Sequence, residues 1–130
     1  MFSIEQIYQA HKKVKSGADF PQYVQDLKDL GISHYDNFVT DGSTKYYGVD
    51  GFTLEAEAKY SQLEIHKTNS ASSLKQALTE HQKGQSDYLT FCKQAAEAGV
   101  EKWTTNMLEM TVSYLDANGQ LVLEEAIPSI

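Results

Sequence analysis

Cys92 and His81 are the residues most open to a chemical reading. They lie on the inward stripes of two consecutive expected helices joined by a short loop, so the thiol and imidazole could meet across a helical hairpin. A neighbouring imidazolium lowers a thiol's pKa and makes it a nucleophile. That would give a small thiol-dependent enzyme or a thiol sensor. A metal site would have to draw on His34, Asp36, His66 and His81. His34 and Asp36 share a strand face, but further ligands would come from far away and no compact ligand spacing exists. The expectation is therefore no metal and no cofactor. Tyr46 and Tyr47 could line a ligand groove or partner surface, with cross-strand aromatic packing as the plainer account. Gly42, Gly48 and Gly51 punctuate a hairpin and form no phosphate loop. Nor is there a Gly-x-Ser-x-Gly elbow.

The elements that must position these residues follow from periodicity and punctuation. Ser3 and Gln6 have the form of a capping box, opening a helix over about 3 to 16 that Gly17 ends. Asp19 and Pro21 open a second helix carrying Tyr23, Val24, Leu27 and Leu30, stopped at Gly31. Ile32 to Thr40 alternates like a strand, Asp41-Gly42-Ser43 turns, and Thr44 to Val49 returns. Residues 52 to 60 alternate apolar with charged side chains, as an edge strand does. After a polar connection over 61 to 70, helices follow over about 72 to 83 and from Ser86 or Asp87 to Gly99. A final hairpin runs from roughly Lys102 to Leu115, turns at Asp116-Ala117-Asn118-Gly119, and returns over Gln120 to Ala126.

The expected fold is a single α+β domain of order ααβββααββ, with helices on one face of an antiparallel sheet. The second half resembles the first, shifted by 67 or 68 residues. Asp19, Tyr23, Gly31 and Tyr35 match Asp87, Phe91, Gly99 and Trp103, and the turn at Asp41-Gly42 is paired with Asn118-Gly119. This reads as a duplicated ααββ unit over about 3–50 and 70–126, with the 52 to 60 strand as an addition. In that alignment Cys92 matches Val24 and His81 matches Val14, which favours packing over catalysis for both.

Composition narrows the function classes. A chain of 130 residues with 41% apolar residues, eight tyrosines and five phenylalanines has enough greasy surface for one folded domain. The formal net charge of -7 repels polyanions, so nucleic acid is not expected as a partner. One cysteine excludes an internal disulfide. With no basic leader and no long apolar run, the expectation is a cytoplasmic protein without membrane contact.

Several segments resemble the YdfO-like family of unknown function, which occurs in prophages and bacterial genomes and often bears the label "phage envelope protein". They are Phe38-Val39-Thr40-Asp41-Gly42 through Tyr47-Gly48; His81-Gln82 with Gly84, Asp87-Tyr88 and Phe91-Cys92; Ala98 through Trp103; and Met110 to Tyr114 ending at Ile127-Pro128. The resemblance implies a small α+β domain and supplies no catalytic residue. His81, Asp87, Tyr88 and Cys92 belong to that pattern and fall around one helical turn, which makes them the place to look for a site. The resulting expectation is a non-enzymatic binding or accessory protein of phage or mobile-element origin. It would act on a protein partner or small ligand, as a monomer or homodimer.

Overall fold

The computed structural model describes residues 2–15 and 19–127. Helix α1, Ile4–His11, starts where its caps dictate: Ser3 Oγ accepts from the Gln6 amide at 3.2 Å, and Gln6 Oε1 accepts from the Ser3 amide at 2.9 Å. It ends several residues before the expected stop, in a tightened turn where Val14 N donates to His11 O. Gly17, expected to end it, lies outside the described residues, as does Pro128. Helix α2 is Phe20–Asp29, with Pro21 in its first turn, and buries Tyr23, Val24 and Leu27. Three strands follow, β1 Ile32–Phe38, β2 Thr44–Gly48 and β3 Thr53–Ala56. Helices α3 Ala71–Gln82 and α4 Tyr88–Glu97 precede β4 Val100–Asn106, β5 Thr111–Asp116 and β6 Leu121–Ala126.

The domain is α+β, its element order broadly as expected, with one strand more. The stretch from Lys102 to Leu115 is two strands. The turn between them has neither Gly nor Pro, so punctuation does not reveal it. Asn106 makes it instead: its Oδ1 accepts from the amides of Leu108 and Glu109, both at 2.9 Å. Met110 completes the turn at φ 57, a left-handed conformation rare outside glycine.

All six strands form one antiparallel sheet in the order β3-β2-β1-β4-β5-β6, so the two halves meet at β1 and β4. Asp36 pairs with Thr104 at the centre of that junction. Among the described residues, six of the seven left-handed ones fall in pairs spaced by 68: Gly31 with Gly99, Gly42 with Met110, and Gly51 with Gly119; Gly84 is the seventh. At that spacing Asp41-Gly42 stands against Glu109-Met110 and Asp50-Gly51 against Asn118-Gly119, unlike the expected match of Asp41-Gly42 with Asn118-Gly119, and the element order ααβββ occurs twice, β6 following β5 as β3 follows β2.

Side chains on one face of the sheet are buried, among them Tyr35, Tyr46, Trp103, Thr105, Val112 and Tyr114. The helices cover this face, where Val24, Leu27, Leu74 and Cys92 are fully buried. The opposite face carries His34, Asp36, Lys45, Tyr47, Lys102 and Thr104. Residues 57–70 form a strap from β3 back to α3. Leu63 N donates to Thr40 O at 2.6 Å, His66 N to Ala96 O and Ser70 N to Ala98 O, both at 2.9 Å.

Candidate functional site

Under the helices, Cys92 is fully buried on α4. Burial pushes its thiol pKa upward, against the opposing pull of hydrogen bonds from the Tyr60 and Tyr88 phenols and of the Lys59 charge. His81 is not among the groups acting on it. The imidazole stacks on Phe91 at 5.0 Å, and its Nδ1 donates to Ser86 O at 3.1 Å. Asp87 is occupied as well: it caps α4, accepting from the Thr90 amide at 2.7 Å, and hydrogen bonds from the Thr90 side chain and amide hold its carboxyl below the usual range. Tyr88 sits 39% exposed at the start of α4 with its ring 6.5 Å from Trp103. The four residues therefore do not assemble into a nucleophile and base. What surrounds the sulfur is phenolic, and Tyr60 comes from the strap, although alternation over 52 to 60 places it on an edge strand, which ends instead at Ala56.

The other face of the sheet is built differently. Asp36 lies at its centre and is only 7% exposed. Its Oδ1 accepts from Thr104 Oγ1 at 2.6 Å, its Oδ2 from Tyr47 Oη at 3.4 Å, and Lys102 Nζ stands 3.7 Å away. His34 stacks flat on Tyr47 at 4.2 Å, and Lys45 Nζ lies 5.3 Å from the Tyr47 ring centre. Beside this cluster a groove of about 370 Å³ runs between Phe38, Ser43, Lys45, Glu55 and Glu57. Tyr46 and Tyr47 point to opposite faces, as adjacent strand residues must, so they cannot line one groove. Tyr46 is core and Tyr47 belongs to the Asp36 cluster. Among the described residues no three His, Cys, Asp or Glu side chains come together as a metal would use. His34 and Asp36 do share a face, but His66 lies on the strap and His81 on α3.

The family model described as "Protein of unknown function (DUF1398)" matches residues 8–126. The chain belongs to the DUF1398 family. It is also 23% identical over 116 residues to the "Uncharacterized protein YcgX" of Escherichia coli (strain K12), a match spanning 89% of this chain and 87% of that protein. Among the described residues of this DUF1398 chain, no helix is long and apolar enough to cross a membrane.

For this DUF1398 domain the thiol geometry gives a direct expectation. Iodoacetamide labels Cys92 at least about a thousandfold more slowly in the native protein than in guanidinium, because access requires opening of the fold. Rapid native labelling, with a pH midpoint below the ~8.5 of a free thiol, would restore the enzyme or sensor reading.

Proposed function

We propose that the chain is a non-enzymatic binding or accessory domain, cytoplasmic, monomeric or homodimeric, that engages a protein partner through the open face of its sheet. One observation carries this. The face presents a preformed polar centre at Asp36, held by Thr104, Tyr47 and Lys102 and flanked by aromatic rings and a second lysine. Rigid aromatic and cationic groups set around a satisfied polar centre are what a protein interface uses for anchoring and orientation. The His81 imidazole is turned to Ser86 and Phe91 rather than to the sulfur, which argues against the thiol-dependent alternative built on that pair. A YdfO-like affiliation and a prophage or mobile-element origin belong to the same reading, supported by the segments Phe38 to Gly42 and His81 to Trp103. A duplicated ααβββ unit does too, supported by the constant spacing of its left-handed residues.

The test is retention of host proteins by the immobilised chain. Wild type and Lys28→Glu, a change on the outer surface of α2, are expected to retain the same partner, and His34→Ser/Lys45→Ser to lose it with an unchanged circular dichroism spectrum. Equal retention by the face variant, or no specific protein retained by wild type, counts against the proposal.

A further inference from the structure

The groove beside the Asp36 cluster is built from three neighbouring strands. Phe38 of β1 stands on one side, Glu55 of β3 and Glu57 on the other, and the small residues Ser43, Thr44 and Ala56 lie between them. Residues two apart in an extended chain point the same way, so Glu55 and Glu57 face the groove together. Lys45 sits opposite Glu55 in the β2–β3 register. Even so, among the described residues neither carboxylate accepts a hydrogen bond or lies within 4.0 Å of a cation. The two nearest lysines are engaged elsewhere. Lys45 Nζ lies 5.3 Å from the Tyr47 ring centre, and Lys102 Nζ stands 3.7 Å from Asp36 Oδ2. Lys102 also reaches the half-buried Phe38 ring, at 6.0 Å, but from the β4 side, where the two residues are paired. The β2 side of that ring is left to the groove.

An aromatic wall facing two unpaired carboxylates over a floor of small residues selects its occupant. It has to be a cation on a long apolar stem, and flat enough to lie against a ring. A guanidinium meets all three demands: it is planar, stacks on aromatic faces and forks its donors onto carboxylates. An ammonium is compact and strongly hydrated, so it gains less from the ring. We propose that this groove receives an arginine side chain presented by the protein that covers the open face. The inference rests on the partner reading above and names the chemistry that partner carries at this point. Its stem would cross the floor beside Phe38, and its head would meet Glu55 and Glu57. The occupant belongs to a different protein. All eleven of this chain's Lys and Arg residues are lysines, so a second copy has no guanidinium to offer. Nor is free arginine the fit, because one side chain in an open groove binds only weakly and needs the surrounding interface to hold it there.

Acetyl-Gly-Arg-Gly-amide serves as the probe, followed by amide chemical shifts, with citrulline and lysine in place of arginine as controls. Citrulline keeps the planar head and removes its charge. The arginine peptide is expected to shift Ser43, Thr44 and Ala56 saturably at low salt, with a Kd of about 1–10 mM. The citrulline peptide should bind about tenfold more weakly or worse, and the lysine peptide about threefold more weakly. Glu55→Gln/Glu57→Gln removes both charges at exposed positions, so the fold is expected to be unchanged by circular dichroism. That variant should weaken the arginine peptide by about tenfold. No saturable shift in wild type overturns the proposal, as does equal affinity for the citrulline or lysine peptide, or equal affinity in the double variant. Retention of host proteins separates the two readings. A partner held by Glu55→Gln/Glu57→Gln as firmly as by wild type overturns the arginine assignment and leaves the partner face standing. A wild type that retains no partner removes that face, and with it the source of the arginine, whatever the peptide does.

Discussion

Raising the pH past about 10 should unfold this protein cooperatively, within roughly two pH units, because its buried phenols cannot ionise in place. Tyr23, Tyr35, Tyr46 and Tyr114 are each between 5% and 7% exposed. Burial is the largest cause of a pKa raised above the ordinary 10.0 in all four. The sign follows from proton counting. Above pH 10 the unfolded chain loses these protons while the folded chain keeps them, so stability is intact below pH 10 and falls as pH rises. Each phenol contributes up to about 1.4 kcal/mol per pH unit, and the four together about 5 kcal/mol per unit. Against a total stability of roughly 5–15 kcal/mol, that is decisive. Lys59 acts in the other direction, its pKa lowered by desolvation, but one exposed side chain does not offset four buried ones. Phenolate absorbance and far-ultraviolet circular dichroism followed together against pH give the check. Phenolate from the buried tyrosines should appear only as helix is lost. Ionisation of all eight tyrosines near pH 10 with the fold retained would refute it.

The elements were legible wherever a local signal sets them. The Ser3–Gln6 box marks the start of α1, and Gly31 and Gly99 stand just beyond α2 and α4 with φ +94 and +82. Alternation over 52 to 60 gives an edge strand, which is present but shorter, at Thr53–Ala56. Local reading failed at the β4–β5 turn, where an asparagine side chain and a left-handed Met110 do the work of glycine. Chain-distant contacts were harder. Tyr60 reaches Cys92 from beyond the early end of β3, where alternation predicts only more strand, and Asp36 meets Thr104 across 68 residues. Yet the second contact had a signal. Where two similar halves shifted by 68 join through their equivalent strands running antiparallel, residues separated by that shift can face one another. Asp36 and Thr104 are such a pair. The assignment of Tyr46 to the core and Tyr47 to the open face needed the hairpin register, which sets Tyr35 opposite Tyr46 and which period-2 counting through the turn does not give. His81 and Cys92 share an inward-facing character without sharing a contact, because helical stripes specify burial and not partners.

Substitution of Gly99 by alanine is expected to cost about 3 kcal/mol or more, and the same change at its counterpart Gly31 only about 1 kcal/mol. Both glycines are left-handed, at φ +82 and +94, so both substitutions carry the steric cost of a side chain in that region. The surroundings separate them. A Cβ on Gly31 meets nothing within 4 Å, whereas one on Gly99 would lie 2.7 Å from Asn69 Cα and from Thr68 O. Those are backbone atoms of the strap, and the strap is fixed there: Ser70 N donates to Ala98 O and His66 N to Ala96 O, both at 2.9 Å, while Asn69 Nδ2 donates to Asp116 Oδ2 at 3.0 Å. The clash cannot be relieved by rotating a side chain. It must displace the segment that carries Tyr60 over Cys92 and leads into α3. The urea midpoints of the two variants give the comparison, with an unchanged slope showing that the unfolded state is the same. A Gly99→Ala midpoint no lower than that of Gly31→Ala would show that the strap is loose enough to yield. On the geometry here it is not, and the strap is what makes two similar halves unequal.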